Sequence, residues 1–122
     1  ITDLLNSQFN WGISENNVAL TNGSQTSFFV LFNMFAGTNR DGREQRILLP
    51  LIPEYIGYTE MGLGKCIFDA CKPSITLSGD HQFKYHVDFE HLQLHSHTSA
   101  LCVSRPTNPT GNVLTDAEIE QL

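Results

Sequence analysis

Cysteine is scarce. Cys66, Cys71 and Cys102 are the only three in 122 residues, an odd number with no Cys-x-x-Cys spacing, so neither a disulfide framework nor a zinc knuckle is indicated. They read as small apolar side chains. Basic residues are few as well: seven Lys and Arg stand against thirteen Asp and Glu, a net charge of −6. That balance excludes the basic stripe a nucleic-acid surface needs. Long apolar runs are missing too. The longest, around Phe28 to Phe35, is broken by Asn33 and falls far short of the roughly 20 residues that span a bilayer. No charged-then-apolar signal segment opens the chain. A soluble, cytoplasmic protein with no membrane partner is therefore expected. Internal repeats, low-complexity tracts and clear linkers are also absent. The chain has room for one domain, residues 1–122, and because it starts at Ile1 without methionine it reads as a piece of something longer.

What is present alternates between two kinds of segment. Leu4 to Trp11 has the spacing of the last turns of an amphipathic helix, with Gly12 as its stop. Asn17 to Thr21, "NVALT", reads as a short buried strand. In "QTSFFVLFNMFAG" the residues Phe28, Leu31, Phe32 and Phe35 follow helical spacing and Gly37 terminates. Arg46 to Leu51 reads as a second strand with Pro50 near its end, since proline donates nothing to a ladder. A loop and short helix over "IPEYIGYTEMG" lead to a third strand, Lys65 to Ala70. Residues 72–97 are polar and histidine-rich, with "DFEHLQL" as a short helix. "ALCVSR" is a fourth strand, and Thr115 to Glu118 is a capping box that opens a new helix. Apolar strands separated by helices indicate an α/β sheet covered on both faces, here unfinished.

Four constellations could carry chemistry. The turn Thr21-Asn-Gly-Ser24-Gln precedes a helix, whose free N–H groups and dipole, with the Ser24 hydroxyl, suit a phosphate; taken alone, these residues more often form an ordinary turn with an N-cap. It lacks the spacing of a nucleotide P-loop or a dinucleotide fingerprint. Tyr55 and Tyr58 in "PEYIGY" follow the second strand, where open α/β sheets bind ligands and a ring can stack on a planar group, or where both simply pack. His81, His86, His91, His95 and His97 lie among Asp80, Asp88 and Glu90. Their spacing contains no His-Glu-x-x-His, and a solvated surface fits them better than a metal site. Last, Asn108-Pro-Thr-Gly111 places an amide just beyond the fourth strand, in a turn whose Asn-Pro bond can be cis.

In this order, "TNGSQ", "PEYIGY" and "NPTG" after an apolar strand resemble the large domain of fold-type I pyridoxal phosphate aminotransferases. The strings "ALTNGSQ", "FKYHVDFEHL" and "CVSRPTNPTGNV" extend the resemblance over essentially all 122 residues. They narrow it to members that exchange an amino group between valine or alanine and 2-oxo acids. The resemblance implies a three-layer α/β/α domain with a mostly parallel sheet, pyridoxal 5'-phosphate as cofactor, amino-acid and 2-oxo-acid substrates, and a homodimer. It implies that Ser24 and Gln25 hold the cofactor phosphate, that Gly23 lets the backbone approach, that Tyr55 stacks on the pyridine ring and that Asn108 donates to its phenolic oxygen. Pro109 and Gly111 would shape that turn.

The resemblance also implies a Schiff-base lysine, an aspartate on the pyridine nitrogen and an arginine for the substrate carboxylate. No residue here matches them: Lys65, Lys72, Lys84 and Arg105 stand elsewhere in the pattern. The expectation is one wall of an active site, inactive alone. Two other readings remain at this stage: a small metal-binding hydrolase built on the His81–His97 region, and a non-enzymatic α/β interaction module.

Overall fold

The computed structural model describes every residue, Ile1–Leu122. Helix α1 (Thr2–Phe9) ends at Asn10, which takes the left-handed conformation with φ 53°, a conformation Asn tolerates well. The stop therefore falls before Gly12. Asn6 then ties the chain back on itself: its amide donates to the Ile13 carbonyl at 2.7 Å and accepts from the Ile13 N–H at 2.9 Å.

The strand expected over residues 17–21 is not there. Asn17 is the last residue of a 3₁₀ turn, Glu15–Asn17, closed by a capping box with Ser14. Leu20 stays 77% exposed. A short apolar run becomes a strand only where another strand pairs with it, and none lies alongside this one.

Helix α2 (Ser24–Phe35) follows. Its spacing reads correctly, but only Phe32 is buried, while Leu31 and Phe35 are more than two-fifths exposed. Gly37 comes just after its end with φ 102°. A short hairpin joins β1 (Gly37–Thr38) antiparallel to β2 (Glu44–Leu49). Pro50 lies one residue past β2, as a residue without an N–H should. Strand β3 (Phe68–Ala70) pairs parallel with β2, Leu48 opposite Asp69.

Two further strands correct the reading of residues 72–97. Strands β4 (Ser74–Ser78) and β5 (Gln82–His86) form a separate antiparallel hairpin, with Ile75 opposite Tyr85 and Leu77 opposite Phe83. The alternation Ser-Ile-Thr-Leu-Ser and Gln-Phe-Lys-Tyr-His around Gly79 is a period-two pattern, masked by the histidines. "DFEHLQL" forms turns rather than a helix. Strand β6 (Thr98–Leu101) pairs parallel with β2 on its other side. It begins two residues before the expected strand and stops at Leu101, so that Val103 to Arg105 are already loop. Helix α3 (Asp116–Gln121) opens at the foreseen capping box: the Thr115 N–H donates to Glu118 at 2.7 Å and the Glu118 N–H to the Thr115 hydroxyl at 3.2 Å.

The fold is thus α/β, with β2 flanked by parallel β3 and β6 and extended by antiparallel β1. Burial follows β2, where Ile47 and Leu48 are each only 2% exposed. One core cluster joins Phe32, Ile47, Tyr58, Met61 and Ile67; a smaller one joins Leu51, Val87 and Leu114. Burying such a side chain is worth about 1.5–3 kcal/mol, so these clusters fix where the strands end and where their loops begin.

Candidate functional site

Three segments meet beyond the C-terminal ends of β2 and β6: the start of α2, the loop from Pro50 to Met61, and the loop from Cys102 to Asn112. They enclose a cleft of about 500 Å³ lined by Ser24, Gln25, Tyr55, Tyr58, Ser104 and Asn108, with Phe28, Met61 and Pro106 as its apolar surface. Four residues singled out from sequence, Ser24, Gln25, Tyr55 and Asn108, therefore face one space although 84 positions separate the first from the last. Gly23 does not line it. That residue is the N-cap of α2, at φ 89°, where a side chain would be strained.

The start of α2 carries no side-chain cap. The first intrahelical bond is from the Ser27 N–H to the Gly23 carbonyl, so the N–H groups of the first turn remain free. Hydroxyls crowd the same turn, Thr21 and Ser27 lying 2.5 Å apart. Free donors at the positive end of a helix suit an anion.

The second segment presents Tyr55, half-buried, with its ring edge-on to Tyr58 at 5.5 Å and 84°. Tyr58 itself is 5% exposed and packs edge-on against Phe32 at 5.1 Å. Its hydroxyl meets the Ser104 hydroxyl at 3.0 Å. Burial raises the Tyr58 phenol above its ordinary range, with the Ser104 hydrogen bond acting in the opposite direction. Of the pair, Tyr58 is the packing residue and Tyr55 is the one that the cleft receives. Gly57 makes this possible: a Cβ there would come within 2.4 Å of the Tyr55 ring. A second cleft of about 440 Å³ adjoins the first, sharing Gln25, Tyr55 and Met61 with it.

The third segment is a closed turn. The Thr107 hydroxyl donates to the Ser104 carbonyl at 3.0 Å, the Thr107 N–H to the Asn112 carbonyl at 2.9 Å, and the Gly111 N–H to the Thr107 carbonyl at 2.7 Å. Asn108 sits inside that turn, exposed, and the Asn108–Pro109 bond is cis. Arg105 reaches away to Asp116 at 2.6 Å.

Sequence reading missed Glu54, Gly57, Met61 and Ser104. "PEYIGY" contained the first two, but nothing in its pattern distinguished a carboxylate that bonds backbone from one in solvent. Burial, and secondarily Glu54, drives the nearby Cys102 thiol up to about 11, which makes it inert at neutral pH.

The histidines go elsewhere. His97 Nε2 meets Asp69 at 2.7 Å, beside Arg46 at 2.9 Å on the other carboxylate oxygen. His86 meets Glu118 at 3.1 Å, and His91 meets Asp88 at 2.8 Å. No group of three or more His, Cys, Asp or Glu side chains converges as metal ligands would.

Comparison with known proteins adds a second line to this geometry. No protein-family model matches the chain. The whole chain matches valine–pyruvate aminotransferase. It is 53% identical to the Escherichia coli K12 enzyme over 122 residues, all of this chain and 29% of that protein. The crystal structure of valine–pyruvate aminotransferase from Salmonella typhimurium LT2 superposes with a TM-score of 0.85 at 51% identity, covering 98% of this chain and 29% of that one. A Psychrobacter arcticum 273-4 protein assigned as an amino-acid aminotransferase gives 0.88 at 45% identity, covering 98% and 30%. Its relatives are aminotransferases, and the chain spans under a third of their length.

Proposed function

We propose that this chain is the cofactor-binding wall of an aminotransferase of the valine–pyruvate type, part of a fold-type I large domain with a three-layer α/β/α architecture. The observation that carries the reading is the convergence of the free N-terminus of α2, Tyr55 and Asn108 on one cleft. Anion donors, a ring wall and an amide are the three contacts a phosphorylated pyridine needs, so the residues present fit pyridoxal 5'-phosphate. That cofactor supplies the electron sink and carries the amino group.

The first-turn N–H groups of α2, with the Ser24 hydroxyl and Gln25, hold the phosphate. Gly23 keeps the approach to them open. Tyr55 supports one face of the pyridine ring, while Phe28 and Met61 limit water around it. Asn108 donates to the phenolic oxygen, favouring its ionised form. Nothing in the chain serves as the amine nucleophile or clamps a carboxylate, so those groups come from the rest of the enzyme, which works as a homodimer in the cytoplasm. Its substrates are valine and alanine with pyruvate and 2-oxoisovalerate.

In the complete polypeptide, pyridoxal phosphate should produce a visible absorption band, and valine with pyruvate should yield alanine in a discontinuous amino-acid assay. The 122-residue chain alone should keep no band after washing. A stable, stoichiometric band there would contradict the assignment of its lysines as non-catalytic. Absence of both band and amino transfer in the complete polypeptide would reject the reading.

A further inference from the structure

The ring wall and the amide turn belong to different strands. Tyr55 follows β2 and Asn108 follows β6, and no backbone hydrogen bond joins the two loops. Side chains join them instead, and only one of these is a carboxylate. Glu54 accepts from the Ser104 N–H at 2.8 Å through Oε1 and from the Tyr55 N–H at 3.1 Å through Oε2. Ser104 passes the constraint on, because its carbonyl accepts from the Thr107 hydroxyl at 3.0 Å, and Thr107 directly precedes Asn108. The Tyr58–Ser104 hydroxyl pair lies alongside as a second, uncharged tie. Hydrogen bonds to a carboxylate are about twice as strong as neutral ones; here one oxygen stays within its own loop at Tyr55 and the other crosses to Ser104.

We propose that Glu54 is a positioning residue that fixes the Tyr55 loop against the Asn108 turn, so that ring and amide stand ready at the cleft before any ligand arrives. This inference rests on the reading of the cleft as a pyridoxal phosphate site. Glu54 touches neither the helix N-terminus nor its hydroxyls, so it acts on the ring end of the cleft alone.

The experiment compares Glu54→Ala and Glu54→Gln with the unaltered complete polypeptide. Amide hydrogen exchange at Tyr55 and Ser104 should accelerate tenfold or more in Glu54→Ala. It should accelerate less in Glu54→Gln, which keeps one acceptor oxygen. Pyridoxal phosphate affinity should fall about tenfold or more in Glu54→Ala and partway in Glu54→Gln. Inorganic phosphate, titrated as a competitor, should bind unchanged, a selectivity that general loosening of the fold would not produce. Unaltered exchange and affinity in Glu54→Ala would overturn the proposal while leaving the cofactor reading intact. Equal loss of phosphate and pyridoxal phosphate affinity would also overturn it. If the unaltered protein binds no pyridoxal phosphate, the cofactor reading falls and takes this inference with it.

Discussion

The cleft side of the molecule and the β4–β5 hairpin are built on opposite plans. Around the cleft, aromatic rings pack on one another: Phe32 stands edge-on to Tyr58 at 5.1 Å and to Phe68 at 5.0 Å. Single polar side chains then tie separate loops together. Asn33 is one. Its amide donates to the Met61 carbonyl at 2.8 Å and its oxygen accepts from the Leu63 N–H at 2.7 Å. The hairpin holds itself by its own ladder and leaves Ile75, Leu77 and Phe83 more than half exposed. Its anchors are ionisable, Lys84 donating to the Val113 carbonyl at 2.6 Å and Glu118 accepting from the Val87 N–H at 3.2 Å. A precise space needs packing and dedicated clamps; a hairpin needs only its register.

That contrast can be broken by mutation. The largest effect should come from Phe32→Ala, a buried ring lost from the core, at about 3–5 kcal/mol in denaturant unfolding of the complete polypeptide. Phe83→Ala on the hairpin, removing a ring that is 59% exposed, should cost under about 1 kcal/mol. Equal costs would abolish the distinction. Asn33→Ala should come next, about 0.5–1.5 kcal/mol, because it removes the part-buried bond to the Met61 carbonyl, while the exposed Leu63 N–H can turn to water.

A smaller effect is expected from pH. Burial alone would raise the Glu118 carboxyl, but hydrogen bonds from Thr115, His86 and Val87 outweigh it and hold the group below its ordinary value of 4.5. A lowered folded pKa stabilises above the ordinary value, and the contribution disappears as pH falls through the lowered one. Thermal melts taken from pH 6 down to pH 3 should therefore drop less steeply for Glu118→Gln than for the unaltered protein. Parallel curves would remove Glu118 as an anchor of the hairpin. The smallest effect on stability should be that of Asn108→Ala, an exposed site, within about 0.5 kcal/mol. On the proposed cofactor reading its consequence is spectroscopic: the pH midpoint of the pyridoxal phosphate band should rise, because a hydrogen bond to the ionised phenol would be lost. An unchanged midpoint would take Asn108 out of that role.

Much of the cleft was legible because its residues are unusual for their positions. A glycine before a helix, an Asn-Pro-Thr-Gly turn after a strand, and Thr115 three residues before Glu118 are local features with local causes. The sheet was legible where β2 turns apolar, at Ile47 to Leu49. Asn17 to Thr21 misled because apolar content says nothing about whether a partner strand lies alongside. The hairpin was obscured by composition, although Ile75, Leu77, Phe83 and Tyr85 alternate correctly. Glu54 and Asn33 could not be read at all. Their roles depend on Ser104 and Leu63, 50 and 30 positions away, and no short-range pattern reports such distances.

Tyr55 has one further consequence, an architectural one. It lines both clefts, together with Gln25 and Met61, so its position shapes two spaces rather than one. Any residue other than glycine at position 57 would therefore disturb both spaces at once, because its Cβ would come within 2.4 Å of the Tyr55 ring.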